Sequence, residues 1–172
     1  MESCEKTMSQ KKYIGLDIGS VSVKAVLINE RKEILENHYV RSHGQPVETF
    51  LLVLKDMFNR THIDDIDGIA ITGTGGKFVS ELMNIAFVNE VVAHSTATTT
   101  LYPEVRTVIE IGGEDSKLML IERDSSTQQT KVSDFSMNTM CAAGTGSFLD
   151  QQATRLGVAI EKEFGELALK SK

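Results

Sequence analysis

The chain has 172 residues, 41% of them hydrophobic, so it can bury the core of one domain or of two small ones. Its 24 acidic residues outnumber its 18 basic ones, the net charge is -6, and no basic cluster favours a nucleic-acid partner. No apolar run reaches the roughly 20 residues that span a bilayer, and residues 1–12 lack a signal-type hydrophobic segment. We therefore expect a cytoplasmic protein with no membrane partner and a disordered leader over residues 1–12.

Residues 13–103 are predicted to form a first α/β lobe. In the second predicted strand Val23, Ala25 and Leu27 alternate onto one face, which is typical of a half-buried strand. Pro46 opens a segment whose apolar residues recur at helical spacing. The predicted strands are residues 13–19, 21–29, 34–41, 66–72 and 85–88, and the predicted helices are residues 46–60, 78–83 and 90–101.

After Pro103 the pattern of the first lobe begins again. Residues 106–122 are predicted to form a strand, a glycine turn and a second strand, and residues 131–137 a third strand. Two helical stretches follow, over residues 146–156 and 160–169. This order predicts an α/β protein with mixed sheets, and it assigns residues 104–172 to the beginning of a second, incomplete lobe.

An internal repeat supports two related lobes. The segment "DIGSVSVKAVLI", which begins at Asp17, aligns with "EIGGEDSKLMLI", which begins at Glu110, at a constant offset of 93 residues. Each copy has an acid, an isoleucine, a glycine and a small residue, then a lysine seven places after the acid. The shared order of acid, glycine and lysine goes beyond what strand periodicity requires, so we interpret it as a duplicated unit.

Each repeat carries a glycine turn that suits phosphate binding. A glycine at a hairpin tip leaves backbone N–H groups uncovered and lets a phosphate approach closely. Asp17 can position Mg²⁺ through water, Lys24 can place its charge on phosphate oxygens, and Asp115 can orient the metal or the attacking water. The alternative is a pair of tight hairpins that merely expose acids at their tips. The predicted phosphate and Mg²⁺ residues are Asp17, Gly19, Ser20 and Lys24 in the first turn and Gly112, Gly113, Asp115 and Lys117 in the second, with Asp17 and Asp115 as the catalytic candidates.

A third glycine-rich segment, "GTGGKF", begins at Gly73 and is a weaker candidate. A P-loop needs four residues between its two glycines and a hydroxyl residue after the lysine. Here Phe78 follows Lys77, so this segment does not predict a P-loop.

The two cysteines lie in different settings. Cys4 is in the polar leader, whereas Cys141 precedes the turn Gly144-Thr145-Gly146 and a predicted helix. Cys141 has no CxxC companion, so the chain predicts neither a disulfide framework nor a self-contained zinc site. Cys141 is therefore either a buried inert thiol or one ligand of a group completed from elsewhere. Glu90 and His94, four residues apart on a predicted helix, could share a metal but fit an ordinary helix pair better.

The quoted segments resemble a known superfamily. "IGLDIGSVSVK" and "IEIGGEDSK" resemble the first and second phosphate motifs of the acetate and sugar kinase, heat-shock 70 and actin superfamily of ATPases. With "MCAAGTGSFLD" the combination resembles the activators of 2-hydroxyacyl-CoA dehydratases and the ATPase subunits of benzoyl-CoA reductases. The resemblance implies actin-like (ribonuclease H-like) ATPase lobes, with the second lobe truncated.

The resemblance also implies an activity. It implies a homodimer with one [4Fe-4S] cluster at its interface, for which Cys141 is the first ligand. ATP hydrolysis with Mg²⁺ then drives an electron from a ferredoxin or flavodoxin through the cluster into the dehydratase or reductase. The free N–H groups at a helix start after Cys141 are expected to stabilise the negative charge of the cluster thiolates. A helix shift on nucleotide binding is expected to change the cluster potential.

The family pattern includes a second cluster cysteine and a later T-G-G type adenosine motif, neither of which occurs by Lys172. We therefore expect a fragment that binds ATP poorly, keeps no normal cluster and is inactive by itself. Two alternatives stay open: a small-molecule kinase of the same superfamily in which Cys141 is structural, and a nonenzymatic nucleotide-binding lobe.

Overall fold

A computed structural model describes residues 11–124, 126, 130–138 and 144–171. The chain forms two compact units that divide between Glu90 and Val91. The predicted boundary between residues 103 and 104 lies at the other end of helix α3 (Glu90–Leu101), most of which belongs to the second unit.

The first unit is built on a five-stranded mixed sheet. Strands β1, β2 and β3 are antiparallel, and β4 and β5 run parallel to β1, so the sheet order is β3-β2-β1-β4-β5. Their bounds are β1 Lys12–Ile18, β2 Ser22–Asn29, β3 Ile34–Arg41, β4 Gly68–Thr72 and β5 Ala86–Phe87. Because β1 and β4 are parallel, their carboxyl ends meet at one edge of the sheet, where the first glycine turn and the "GTGG" segment both begin.

Helix α1 (Pro46–Phe58) covers one face of this sheet. Proline at its start costs no helical hydrogen bond, and apolar residues recur along one side. The core of the unit consists of strand residues Ile14, Leu16, Ile18, Val23, Ala25, Leu27 and Ile71 together with Phe50, Val53, Leu54 and Met57 of α1 and Val79 of helix α2 (Gly76–Met83). Burial of these side chains supplies the main apolar stabilisation of the unit.

The second unit contains an antiparallel sheet of order β6-β7-β8. Its strands are β6 Thr107–Ile111, β7 Ser116–Arg123 and β8 Thr130–Met137. Helix α4 (Gly146–Leu156) follows and ends at Gly157, whose φ of 67° is the left-handed conformation that glycine adopts without strain. A single π-helical turn (Ile160–Phe164) leads into α5 (Gly165–Leu169).

The predicted elements are present in the described residues, with ends that differ by up to two residues and one change of helix type. The strand predicted from Ile66 begins at Gly68, because a 3₁₀ turn (Ile63–Asp65) occupies the residues just before it. The helix predicted over residues 160–169 is a π turn followed by the short α5. Within the described ranges no helix is long and apolar enough to cross a membrane.

Candidate functional site

The first glycine turn connects β1 to β2. The Gly19 N–H donates to the Ser22 carbonyl at 3.0 Å, and a Cβ on Gly19 would lie 3.1 Å from that oxygen. The buried Ser42 is hydrogen-bonded to the backbone of this turn. Its hydroxyl donates to the Ser20 carbonyl at 2.5 Å and its N–H to the Val21 carbonyl at 2.9 Å. Two hydrogen bonds to the turn backbone hold its conformation before any ligand binds.

Two of the predicted site residues of this turn form an ion pair. Asp17 and Lys24 lie opposite each other on β1 and β2, and Lys24 Nζ donates to Asp17 Oδ2 at 2.8 Å. The side chains are 27% and 44% exposed respectively, so both can still reach a ligand. Lys24 Nζ also lies 6.0 Å from the centre of the Tyr39 ring on β3, within the range of a cation–π contact. Any phosphate that engages Lys24 competes with Asp17 for the ammonium group.

The "GTGG" turn packs directly against this pair, which the sequence did not predict. The Gly75 N–H donates to the Ile18 carbonyl at 2.8 Å. A Cβ on Gly73, whose φ is +93°, would lie 2.5 Å from Asp17 Oδ1. The parallel pairing of β1 with β4 produces this proximity. The glycine spacing could have predicted it only together with the position of β4 beside β1.

The second glycine turn connects β6 to β7. The Gly112 N–H donates to the Asp115 carbonyl at 2.8 Å. A Cβ on Gly112 would lie 2.8 Å from Asp115 Oδ1 and 3.0 Å from Glu110 Oε1, so a larger residue would force the carboxylates apart. Glycine at this position leaves room for both carboxylates beside the backbone.

Lys117 binds both of these acids. Its Nζ lies 2.8 Å from Asp115 Oδ1 and 3.1 Å from Glu110 Oε2. The Lys117 side chain is only 5% exposed, whereas Asp115 is 37% exposed. Two carboxylates and one ammonium leave this turn with a net negative charge, which favours a hard cation such as Mg²⁺ over direct contact with a phosphate. The carboxylate oxygens fit Mg²⁺, and Asp115 is the more open of the two acids that bind Lys117.

The start of α4 is hydrogen-bonded to the second turn. The Gly146 and Ser147 N–H groups donate to the carbonyls of Gly112 and Gly113 at 2.8 and 2.9 Å. The Ser147 hydroxyl also donates to the Gly113 carbonyl, and the Ser116 hydroxyl donates to the Gly144 carbonyl at 2.9 Å. The expectation that the first N–H groups of this helix are free for a cluster is therefore wrong for these two, because the turn already uses them.

Cys141, the predicted cluster ligand, lies outside the described residues, as does Cys4. A [4Fe-4S] cluster is usually held by four cysteine thiolates. The described part of the chain contains no cysteine, so the described residues cannot test whether this chain fits such a cluster. Among the described residues no group of three or more potential metal ligands is present. The helix pair Glu90 and His94 accordingly has no third ligand there.

A charged cluster apart from both turns joins β3 to α1. Arg60 Nη2 donates to Glu36 Oε1 at 2.6 Å and to Asp56 Oδ2 at 2.8 Å, and His38 Nε2 lies 2.5 Å from Glu36 Oε1. The hydrogen bond from Arg60 is the main reason why the pKa values of Glu36 and Asp56 lie below their ordinary values. The same two carboxylates raise the pKa of Arg60.

A cavity of about 390 Å³ lies within the second unit between α3 and strands β7 and β8. Its wall includes Ser95 and Thr99 of α3, Ile121 of β7 and Val132 of β8. None of the predicted phosphate and Mg²⁺ residues of the two turns, all of which the structure describes, lines this cavity. The candidate phosphate turns are therefore not part of this cavity.

Comparisons with known proteins relate the chain to a family of ATPases. Residues 14–172 match the model of the BadF/BadG/BcrA/BcrD ATPase family. The chain is 31% identical over 160 residues to the 2-hydroxyisocaproyl-CoA dehydratase activator of Clostridioides difficile, covering 92% of this chain and 57% of that protein. It is 32% identical over 160 residues to the (R)-2-hydroxyglutaryl-CoA dehydratase activating ATPase of Acidaminococcus fermentans, covering 92% of this chain and 58% of that protein.

A solved structure shows the same relationship. The activator of the 2-hydroxyisocaproyl-CoA dehydratase from Clostridium difficile with bound ADPNP superposes with a TM-score of 0.78 at 30% identity, covering 94% of this chain and 57% of that one. The match confirms the predicted fold class, an actin-like ATPase fold with mixed sheets. The chain spans somewhat more than half the length of these relatives. With its glycine turns, its two sheets and a family match over residues 14–172, the chain belongs to the BadF/BadG/BcrA/BcrD ATPase family.

Proposed function

We propose that this chain is the phosphate-binding part of an ATP-dependent activator that serves a 2-hydroxyacyl-CoA dehydratase or a related CoA-substrate reductase. The observation that carries the proposal is the family match over residues 14–172, together with relatives that are themselves named as dehydratase activators. The proposed substrate is ATP with Mg²⁺, and the proposed reaction is its hydrolysis.

Each turn is proposed to bind part of a Mg²⁺–phosphate group. In the first, the Ser20 N–H meets a phosphate oxygen, Gly19 lets the phosphate approach because it has no Cβ, and Lys24 exchanges its partner Asp17 for the phosphate. Asp17 is then released to order the waters of Mg²⁺. In the second, the net negative charge around Lys117 directs Asp115 toward the cation or the attacking water.

Helix α4 supplies a link between nucleotide binding and the segment that contains Cys141. Because the carbonyls of Gly112 and Gly113 accept hydrogen bonds from the first turn of α4, a displacement of the second glycine turn moves the start of α4 with it. We propose that this motion is how phosphate binding is communicated to the Cys141 segment.

The remaining parts of the proposed function concern the assembly. We propose a homodimer in which Cys141 of each copy contributes to one [4Fe-4S] cluster, with a ferredoxin or flavodoxin as electron donor and the dehydratase or reductase as acceptor. A cluster bound there would supply one-electron transfer at low potential. This chain contributes the Cys141 thiolate and, through α4, the orientation of the segment that carries it.

Hydrolysis of ATP and its dependence on the two acids test the nucleotide part. We expect the full-length protein to release phosphate from Mg·ATP. Asp17→Asn and Asp115→Asn should each reduce that rate at least about 100-fold, since each removes a charge at the proposed metal site. Glu30→Gln, on an exposed turn of the first unit, is the matched control and should keep the rate. Equal rates in all four proteins would contradict the assignment, and phosphate transfer to an added sugar or acid would indicate a kinase instead.

The cluster is tested by anaerobic purification. We expect iron, acid-labile sulfide and a broad visible absorption in the assembled activator, all of which should be lost in Cys141→Ser. An iron-free, colourless wild-type protein would contradict the electron-transfer proposal and leave the ATPase proposal to the hydrolysis experiment.

A further inference from the structure

One row of polar side chains crosses the first sheet on the face opposite α1. Asp17 of β1 pairs with Lys24 of β2 on one side and with Thr72 of β4 on the other. Paired residues of neighbouring strands point to the same face of a sheet. The Thr72 side chain therefore lies beside the Asp17 carboxylate, on the side away from Lys24.

The hydroxyl oxygen of Thr72 is buried and has no hydrogen-bond partner among the described residues. A buried hydroxyl without a partner lowers stability, whereas a valine of the same shape would fill the same space without that cost. The carboxylate beside it is already committed to Lys24 through Oδ2. A threonine with an unused hydroxyl at this position is therefore better explained by a ligand than by the fold of the first unit.

The turn that follows Thr72 is held against the same carboxylate. At Gly73 a Cβ would meet both Asp17 Oδ1 and the Ile18 carbonyl, at 2.5 and 2.6 Å. At Gly75 a Cβ would lie 2.9 Å from Ile18 Cγ2. The backbone takes this position because residues 73 and 75 are glycines, so the turn forms a glycine wall beside Asp17.

Lys77 follows this wall, in the first turn of α2. Its side chain is exposed and makes no ion pair among the described residues, unlike Lys24 and Lys117, whose ammonium groups are neutralised by carboxylates. Lys77 directly follows Gly76, and with no ion pair among the described residues its ammonium can bind an anion without first breaking a salt bridge.

We propose that Thr72 and Lys77 are further binding residues of the first phosphate site, with the Thr72 hydroxyl donating to an oxygen of the Mg²⁺–phosphate group held at Asp17 and Lys77 placing its charge on a phosphate oxygen. This inference rests on the proposed function, since it assigns two more residues to the same nucleotide. It gives the "GTGG" turn a binding role without the P-loop arrangement.

Thr72→Val tests the hydroxyl through two measurements, the affinity for Mg·ADP and the stability without ligand. A purely structural role of the hydroxyl would lower both. We expect the affinity for Mg·ADP, measured by titration calorimetry, to fall about threefold to tenfold with the loss of one hydrogen bond. We expect stability without ligand to be unchanged or higher, because an unsatisfied polar atom is removed. Thr72→Ser should restore the affinity. Unchanged affinity, or a matched loss of affinity and stability, would overturn the assignment of Thr72.

Lys77→Ala tests the charge, with Lys55→Ala as the matched control because Lys55 is also exposed, helical and without an ion pair among the described residues. We expect Lys77→Ala to weaken Mg·ADP binding about 10-fold to 100-fold, less at high ionic strength, and Lys55→Ala to bind like wild type. Equal binding by both variants would overturn the role of Lys77 while leaving the proposed function intact. These variants are compared in the full-length protein, and a wild type that fails to bind Mg·ADP there would overturn both.

Discussion

The two glycine turns share an acid, a glycine and a lysine in the same order, yet their lysines lie in different surroundings. Lys24 meets one carboxylate and its side chain is 44% exposed, whereas Lys117 meets two and is 5% exposed. The first arrangement leaves an ammonium that a phosphate can reach, and the second fixes two acids in place. A repeated sequence motif thus provides a lysine and an acid, while burial decides whether the lysine is available to a ligand.

The two sheets also differ in the burial of their apolar faces. In the first unit Ile14, Leu16 and Ile18 lie under α1. The repeat offset of 93 residues aligns Leu16 and Ile18 with Ile109 and Ile111 of the second sheet. On that second face the side chains are largely exposed: Ile109 72%, Ile111 60%, Leu118 40% and Leu120 40%. Strand patterning makes a face apolar in both units, but in the first unit a packed helix buries that face.

The largest expected effect separates these two faces. Phe50→Ala should lower the free energy of unfolding of the first unit by about 3–5 kcal/mol, because Phe50 is fully buried between α1 and the sheet. Ile109→Ala should change the stability of the second unit by less than about 0.5 kcal/mol. Urea unfolding followed by circular dichroism measures both. A cost for Ile109→Ala as large as that for Phe50→Ala would show that the second face is covered in solution.

The next effect compares the two lysines. Lys117→Met should destabilise the second unit by about 3 kcal/mol, because it leaves Glu110 and Asp115 close together without a counter-charge. Lys24→Met should cost less than about 1 kcal/mol, since its ion pair is partly exposed and water replaces it. Equal losses in the same urea experiment would contradict the difference in burial that separates the turns.

A smaller effect concerns the contact between the second turn and α4. Ser147→Ala removes the hydroxyl that donates to the Gly113 carbonyl, so opening of the first turn of α4 should become easier by about 1 kcal/mol. Amide hydrogen exchange of Gly146 and Ser147 should accelerate about fivefold. Thr154→Ala is the control on the same helix, because the Thr154 hydroxyl bonds to the Asp150 carbonyl within α4. Identical exchange in both variants would show that Ser147 does not hold α4 to the turn.

The smallest expected effect is the acid sensitivity of the first unit. Arg60 lowers the pKa values of Glu36 and Asp56 in the folded state from ordinary values of 4.5 and 3.8. A lowered folded-state pKa stabilises the fold above the ordinary value, and that contribution is lost as the pH falls through the folded value. Arg60→Ala should therefore lower stability at pH 7 and flatten its decline below about pH 4.5, relative to Lys55→Ala. A decline as steep as that of the control would exclude the Arg60 cluster as its source.

Much of the fold was predictable from local pattern. Alternation in β2, helical spacing after Pro46 and the glycine hairpins at Gly19 and Gly112 correspond to the strands, helix and turns in the structure. The family was also predictable, because the two phosphate motifs and the segment around Cys141 occur together. The roles of the individual site residues stay predictions that the variants above test.

The parts of the site that escaped prediction depend on contacts between distant residues. In the sequence the "GTGG" turn looked like an imperfect P-loop. Its position beside Asp17 follows from the pairing of Asp17 with Thr72, which no local spacing reveals. The first N–H groups of α4 looked free because their acceptors, the Gly112 and Gly113 carbonyls, lie more than thirty residues earlier. In both places the hydrogen-bond partners of a turn had to be known before its chemistry could be inferred.

The sequence by itself determined the two strand-turn-strand units, their paired acids and lysines and the family to which the chain belongs, since these depend on residue types at short spacing. Only the tertiary structure decided that Lys117 is buried between two acids while Lys24 stays within reach of a ligand. It also decided that Thr72 and the glycine wall lie beside Asp17. The physical reason is that burial and hydrogen-bond pairing are set by which strands and helices pack together.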